Sequence, residues 1–321
     1  MKVVLGLALG LLASVTTFGQ ALAAELSEIR IDWATYNPVS LVLKNDGLLE
    51  KEFSKDGIKV TWVQSAGSNK ALEFLNASSL DFGSTAGAAA LIGRVNGNPI
   101  KSVYIYSRPE WTALVTGKDT GIAKVADLKG KSIAVTRGTD PHIFLVRALA
   151  EAGLSEKDVK LVLLQHADGK LALQRGDVDA WAGLDPIMAS AEVENGDVLF
   201  YRKPENNSWG VLNVREAFAK EHPEVVSRVI AAYEVARKKA IAEPGVLKAA
   251  LVTATKLPDS VIAKQLERTD LSHSRIGDEQ RETIEAAGIA LQQAGVIKTD
   301  VDVKKVTSDL IDPTYGSALG Q

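Results

Sequence analysis

The chain has no cysteine among its 321 residues. That excludes a bacterial lipoprotein anchor, which needs a cysteine to carry its lipid, and any metal site built on paired thiolates. It also leaves the fold without disulfides, which a chain of roughly 300 residues does not need to bury a large core. An excess of charge of either sign is missing too: 37 Lys and Arg stand against 40 Asp and Glu, a formal net charge of −3. Neither nucleic acid nor an anionic membrane surface is therefore expected as a partner.

The usual catalytic signatures do not occur either. His142, His166 and His222 are scattered, and no HExxH or close histidine cluster supplies a metal site. In GSTAG the serine directly follows the first glycine, so this is not the GxSxG elbow of hydrolases. No GxGxxG follows a strand with the expected acidic partner. No cofactor, no metal and no enzymatic activity are expected.

Long apolar runs are also scarce. The run from Val3 to Val15 follows Met1 and Lys2 and precedes Ala21, Leu22 and Ala23, which satisfy the small-x-small rule of signal peptidase. It is shorter than the ~20 residues of a spanning helix. Residues 1–23 read as a cleaved export signal, and without an anchoring cysteine the mature protein is expected free in a Gram-negative periplasm.

What the chain does have is a repeated loop. From Val60 to Gly87, VTWVQSAGSNKALEFLNASSLDFGSTAG, small residues stand twice between an apolar strand and a helix. A helix start carries unpaired amides and the positive end of the macrodipole, so an anion binds there if the loop lets it approach. Four loops have this character: Thr35 to Ser40, Ser65 to Asn69, Ser84 to Ala88 and Thr136 to His142. Ser65, Ser68, Ser84, Thr85 and Thr139 are also the residue types that cap helices.

Around these loops the pattern alternates strand and helix, which argues for mixed or parallel sheets with loops gathered at one edge. IRIDWAT and IKVTWVQ read as strands, Leu41 to Phe53 and NKALEFLN as helices, and SLDFGS as a strand whose loop TAG opens the helix AAALIGRVNG. After Trp111 a second cycle begins: TALVTG and KSIAV as strands, Ile143 to Gly153 as a helix, VKLVLLQ as a strand, HADGK as a polar loop, KLALQRG as a helix and DVDAWAG as a strand. LNASSLDFGSTAG and LQRGDVDAWAGLD align with Leu75 on Leu173, Leu80 on Val178 and Asp81 on Asp179, so two lobes of similar construction are expected. WGVLNVR adds one more strand, and the rest is helical, with Pro223 in the first turn of a long helix.

In this order, LVLKNDGLLEKEF, SAGSNKALEFLNASSLDFGSTAG, VADLKGKSIAV, the RGTDPH loop, LQRGDVDAWAGLDP and VLNVREAFAKEHPEVV resemble the periplasmic solute-binding proteins of ABC importers for aliphatic sulfonates, taurine and nitrate. The resemblance runs from about Ile29 to about Pro313. It implies an α/β, two-lobed binding protein of the second type, each lobe a mixed sheet flanked by helices, with the ligand cleft between. Residues 24–110 plus 211–321 would form lobe I and 111–210 lobe II, with a hinge at the crossings Arg108 to Trp111 and Pro204 to Gly210. A monomer that docks on a membrane permease is expected. Distant relatives work in thiamine precursor synthesis, and the export signal argues against that role here.

The resemblance places the anionic head near Asn37 and Pro38, Gly67 and Ser68, Thr85, Ala86 and Gly87, and Gly138, Thr139, Asp140 and His142. A sulfonate stays ionised and offers three oxygens, so neutral donors can satisfy it. Lys70 reads as a solvated helix residue and Arg137 as a surface partner of Asp140. Relatives often carry consecutive serines where this chain has Thr139, Asp140 and Pro141. Asp140 would repel an anion unless it caps the helix or meets a cationic ligand group, as an amine-bearing sulfonate such as taurine would supply; Asp185 offers the same two uses. Tyr36, Trp111, Trp181 and Trp209 fall at strand ends or crossings, where a ring covers an apolar ligand chain, and Leu184 replaces a second aromatic common in relatives. Capture of an organosulfonate for sulfur acquisition is the expected function, with another anion (a sulfate ester, an aromatic sulfonate or nitrate) or an exported enzyme as alternatives.

Overall fold

The computed structural model describes residues 26–319; the export signal read over residues 1–23 lies outside them. Among the described residues, no helix is long and apolar enough to cross a membrane. The strands are β1 (Glu28–Trp33), β2 (Lys59–Gln64), β3 (Phe82–Ala86), β4 (Ile100–Pro109), β5 (Leu114–Thr116), β6 (Ser132–Val135), β7 (Lys160–Leu163), β8 (Ala180–Ala182), β9 (Val198–Tyr201), β10 (Gly210–Arg215) and β11 (Thr269–Asp270). They form two mixed sheets flanked by helices, in the orders β11-β4-β10-β3-β1-β2 and β7-β6-β8-β5-β9, which is the expected α/β architecture.

The two sheets repeat one plan. In the first, β2, β1 and β3 run parallel and β10 lies antiparallel between β3 and β4. In the second, β7, β6 and β8 run parallel and β5 lies antiparallel between β8 and β9. The aligned aspartates occupy equivalent places. Asp81 accepts from the Arg30 amide at 2.8 Å and Asp179 from the Ser132 amide at 2.8 Å, each just ahead of a strand parallel to the one it holds.

Local chemistry moves several boundaries. The helix expected over Leu41 to Phe53 is two helices, Pro38–Asn45 and Leu48–Phe53, because Gly47 takes a left-handed φ of 60° that interrupts it. HADGK is not a loop: the helix runs His166–Arg175 and starts at the histidine. The helix expected from Ile143 spans Asp140–Glu151, with Pro141 in its first turn. Thr85 and Ala86 belong to β3 rather than to the loop after it.

The first sheet packs Ile29, Ile31, Phe82, Val211 and Leu212 with Val229 and Tyr233 of the long helix Pro223–Ala242. The second is covered on one side by Phe144, Leu145 and Leu149 and on the other contributes Trp181 to a cluster with Leu173 and Met188. Helix Asp140–Glu151 belongs to both cores, since Ile143 and Val146 join the first cluster. At about 1.5–3 kcal/mol per fully buried aliphatic side chain, that shared helix gives the contact between the sheets real weight. The chain passes between the sheets twice, after β4 and after β9. Asn207 ties the passages together, its Oδ1 accepting from the Thr112 amide at 2.9 Å.

Asp32, at the end of β1, is fully buried and accepts from the Ser84 amide at 2.9 Å and the Ser84 hydroxyl at 2.8 Å. Burial outweighs these bonds and pushes its carboxyl up to about 6. The folded value lies above the unfolded one, so this group's contribution is present at low pH and is lost as pH rises through 6, at a cost on the order of 3 kcal/mol. Asp32→Asn should therefore remove part of the stability change between pH 4 and pH 7. Urea midpoints of the two proteins across that range check it; parallel pH profiles would contradict the assignment.

Candidate functional site

The structure brings most of the expected site residues to the line where the two sheets meet and separates those that build the line from those that face across it. Asn37 is a builder. Its Oδ1 accepts from the Ser40 amide at 3.2 Å, capping helix Pro38–Asn45, while its Nδ2 donates to Ser84 Oγ at 2.7 Å. Pro38 is the first residue of that helix, where its missing N–H costs nothing. Tyr36 donates its hydroxyl to the Ser84 carbonyl at 2.9 Å and sets its ring edge-on to Trp111, centroids 6.2 Å apart.

The loop entering helix Gly87–Val95 has its donors already engaged. The Ala86 amide donates to Ser68 Oγ at 3.0 Å, the Gly87 amide to the Trp209 carbonyl at 2.8 Å and the Ala88 amide to Ser208 Oγ at 2.9 Å. Thr85 Oγ1 accepts from Asn213 Nδ2 at 2.8 Å. Of the residues expected to cap helices, Ser68 instead holds Ala86, Ser84 bridges Asp32 and Asn37, Thr85 holds Asn213, and Thr139 donates to the Thr136 carbonyl at 2.6 Å. The cap on helix Gly87–Val95 comes from Ser208, 120 residues downstream, which no local pattern reveals.

Among the helices that begin without a side-chain cap, three start close together: Ser68–Asn76 after Gly67, Asp140–Glu151 after Thr139, and His166–Arg175 after Gln165. The first belongs to the first sheet's side and the other two to the second's, and they converge. A Cβ placed on Gly67 would stand 2.9 Å from Asn69 Oδ1 and 3.0 Å from His166 Nε2, and one on Gly138 would stand 3.9 Å from Asn69 Cβ. Gly67 and Gly138 thus let the two halves approach. Asn69 Oδ1 and His166 Nε2 are buried there without a partner. Burial alone pulls the His166 imidazole down to about 3, so it is neutral. The sequence pattern places neither residue at the site: Asn69 only bounds the Ser65 to Asn69 loop, and His166 opens HADGK, whose polarity suggests a loop rather than a helix start.

Asp140 does not cap its own helix. Its Oδ2 accepts from Trp111 Nε1 at 2.6 Å and from the Ser208 amide at 3.0 Å, binding both passages to the start of helix Asp140–Glu151. Its Oδ1 has no partner, and burial raises its carboxyl above the ordinary range. Arg137 is not its partner; it points to Glu156 Oε1 at 3.6 Å. His142 Nε2 lies 2.8 Å from the same Glu156 oxygen, turned toward its own side of the molecule. Lys70 is solvated and paired with Glu73 at 2.6 Å, as expected.

Trp181, Trp209 and Asp185 are engaged in packing and ion pairing. Trp181 is fully buried in the core beside Gly169. Trp209 lies under the Arg108 guanidinium, 4.4 Å from its ring centroid, and edge-on to His273 at 4.9 Å. Asp185 caps the following turn through the Ala189 amide at 2.9 Å and faces Arg268 Nε at 3.3 Å; burial raises it to about 7 against the pull of that cation. Among the described residues no group of three metal-ligating side chains is assembled.

A relative in Escherichia coli (strain K12) named for aliphatic sulfonate binding is 29% identical over 269 residues, spanning 83% of this chain and 84% of its own. One in Bacillus subtilis (strain 168), with the same name, is 28% identical over 297 residues, covering 91% of this chain and 87% of that one. Among solved structures, the alkanesulfonate-binding protein SsuA from Xanthomonas axonopodis pv. citri, bound to MOPS, superposes with a TM-score of 0.80 at 24% identity over 88% of this chain and 99% of that one, a likeness of fold. The family model described as NMT1/THI5 like matches residues 52–246, more than half of the sequence, and the chain belongs to that family.

Proposed function

We propose that this chain is the periplasmic solute-binding component of an ABC importer, capturing an organosulfonate between its two sheets and delivering it to the membrane permease for sulfur acquisition. The observation that carries this reading is the meeting of three uncapped helix starts, from both sides, around Gly67 to Asn69. A permanently ionised head with three oxygens suits unpaired backbone donors and the positive ends of helix dipoles. The names of the two relatives point to the same ligand class.

Residues 24–110 with 211–321 and residues 111–210 act as the two bodies, and ligand binding shifts the equilibrium toward their closed arrangement. The export signal delivers a monomer, without a lipid anchor, to the periplasm. Gly67, Ser68, Gly138 and Thr139 line the head-group position; Tyr36 and Trp111 cover the tail. No chemistry is performed on the ligand.

Asp140 decides what the far end of the ligand carries. With Oδ2 held by Trp111 and Ser208, Oδ1 remains to accept from a ligand ammonium, and a charge-assisted bond of this kind contributes roughly 1.5–3 kcal/mol. Asp140→Asn should weaken taurine by about tenfold or more relative to ethanesulfonate. Competition binding with the pair checks this, and an unchanged ratio would return Asp140 to a purely structural role.

The function itself is tested by melting the protein with taurine, alkanesulfonates, aromatic sulfonates, sulfate esters, nitrate and sulfate, since a tight ligand raises the melting temperature by mass action. Stabilisation by a sulfonate, with the compound recovered intact, is expected. A shift only with nitrate or a sulfate ester would change the ligand, and product formation would make the protein an enzyme.

A further inference from the structure

We infer that His166 is a ligand-head contact that takes up a proton as the anion binds, so that capture by this protein is proton-linked. The inference rests on the sulfonate reading and names what the second sheet's side contributes to it. His166 is the first residue of helix His166–Arg175 and is 2% exposed. Its Nδ1 lies 3.2 Å from Thr136 Oγ1, whose single proton is committed to the Leu164 carbonyl at 2.7 Å. Nδ1 must therefore carry the hydrogen of that contact, which leaves Nε2 with a bare lone pair in the neutral ring.

That lone pair has no partner and points across the sheet interface to Gly67, where Asn69 Oδ1, also unpartnered, converges from the other side. Nε2 has nothing to bond there, and an anion brought beside it adds only further acceptors. One proton taken from solvent onto Nε2 reverses this. The imidazolium then donates from Nε2, keeps its Nδ1 contact with Thr136, and neutralises the incoming charge at the meeting of the three helix starts.

The neighbouring cations are engaged elsewhere: Lys70, on the facing helix, is drawn to Glu73, and Arg137, beside Thr136, reaches Glu156 together with His142. Asp140, at the start of the third helix, has Oδ2 held by Trp111 and Ser208 and Oδ1 unpartnered. Burial alone keeps the ring neutral without ligand. An anion held beside Nε2 opposes that desolvation, so the proton arrives with it and leaves with it.

Calorimetric titration with ethanesulfonate, which does not titrate in the range used, reads the linkage directly. Run at pH 5 in two buffers of different ionisation enthalpy, it should show uptake of close to one proton per ligand bound. Affinity should rise as pH falls from 7 toward 4, by up to about tenfold per unit. In His166→Gln, which keeps a neutral polar group, uptake should vanish and the affinity become flat with pH. Binding without proton uptake in the unaltered protein overturns the inference and leaves the function standing, and this reading needs no variant to fold. Uptake that persists in His166→Gln assigns the proton to another group and likewise overturns it. Absence of binding by ethanesulfonate and taurine alike overturns the sulfonate reading and the inference with it.

Discussion

Trp111→Ala should lower stability by about 3–5 kcal/mol, the range for removing a buried large aromatic side chain. Trp111 stands where the chain first passes between the sheets, buried between Tyr36 and Tyr106, with ring centroids 6.2 and 6.4 Å away. Truncation leaves a cavity bordered by rigid rings that cannot collapse into it. It also takes from Asp140 Oδ2 the indole donor at 2.6 Å, leaving only the Ser208 amide. A buried carboxylate that loses a donor is costly on its own account, and Trp111→Phe isolates that part: the packing is largely kept and a loss of about 1–3 kcal/mol is expected. Urea unfolding with unchanged slope measures both variants. An alanine variant within about 1 kcal/mol of the parent protein would show that this ring does not join the sheets.

Gly67→Val should reduce sulfonate affinity by more than about a hundredfold, roughly 3 kcal/mol, while leaving the ligand-free protein folded. The backbone at Gly67 is extended, with φ of 161°, so the new residue suffers no conformational strain of its own. The cost arises across the interface, because Asn69 Oδ1 and His166 Nε2 stand 2.9 and 3.0 Å from the position of a Cβ. His166 has little room to yield, since Nδ1 is held at Thr136. The clash is relieved by parting the two sheets, and closure around a ligand is the step that cannot then occur. Equal affinity in the variant, measured by titration, would place the ligand elsewhere.

Much of the architecture was legible because it is periodic. Strands alternating with amphipathic helices gave the α/β class, and the pairing of Asp81 with Asp179 marked the repeated sheet plan, since both side chains hold the amide of a neighbouring parallel strand. The breaks that were missed are matters of a single residue. Gly47 divides a helix whose apolar pattern continues through it, and HADGK is polar because its helix faces solvent on one side, not because it is a loop.

The site was legible in part for the same reason. Loops of small residues before helices are visible in a sequence; which of their amides are already engaged is not. The Gly87 loop looked as open as the Gly67 loop, yet Ser68, Trp209 and Ser208 occupy its donors, two of them from more than a hundred residues away. Asp140 was conspicuous as an acid beside an anion site, but its partners Trp111 and Ser208 come from both passages, and neither is close in sequence. His166 had no local signature, because its meaning depends on the glycine facing it from the other sheet's side.

The most direct measurement is calorimetric titration of the chain lacking residues 1–23 with ethanesulfonate and taurine. One-to-one binding with a dissociation constant of about a micromolar or tighter, near −8 kcal/mol, is expected for at least one of them, with the compound recovered unchanged. No heat of binding from these or from any other sulfonate, with the protein folded, would contradict capture of an organosulfonate between the two sheets.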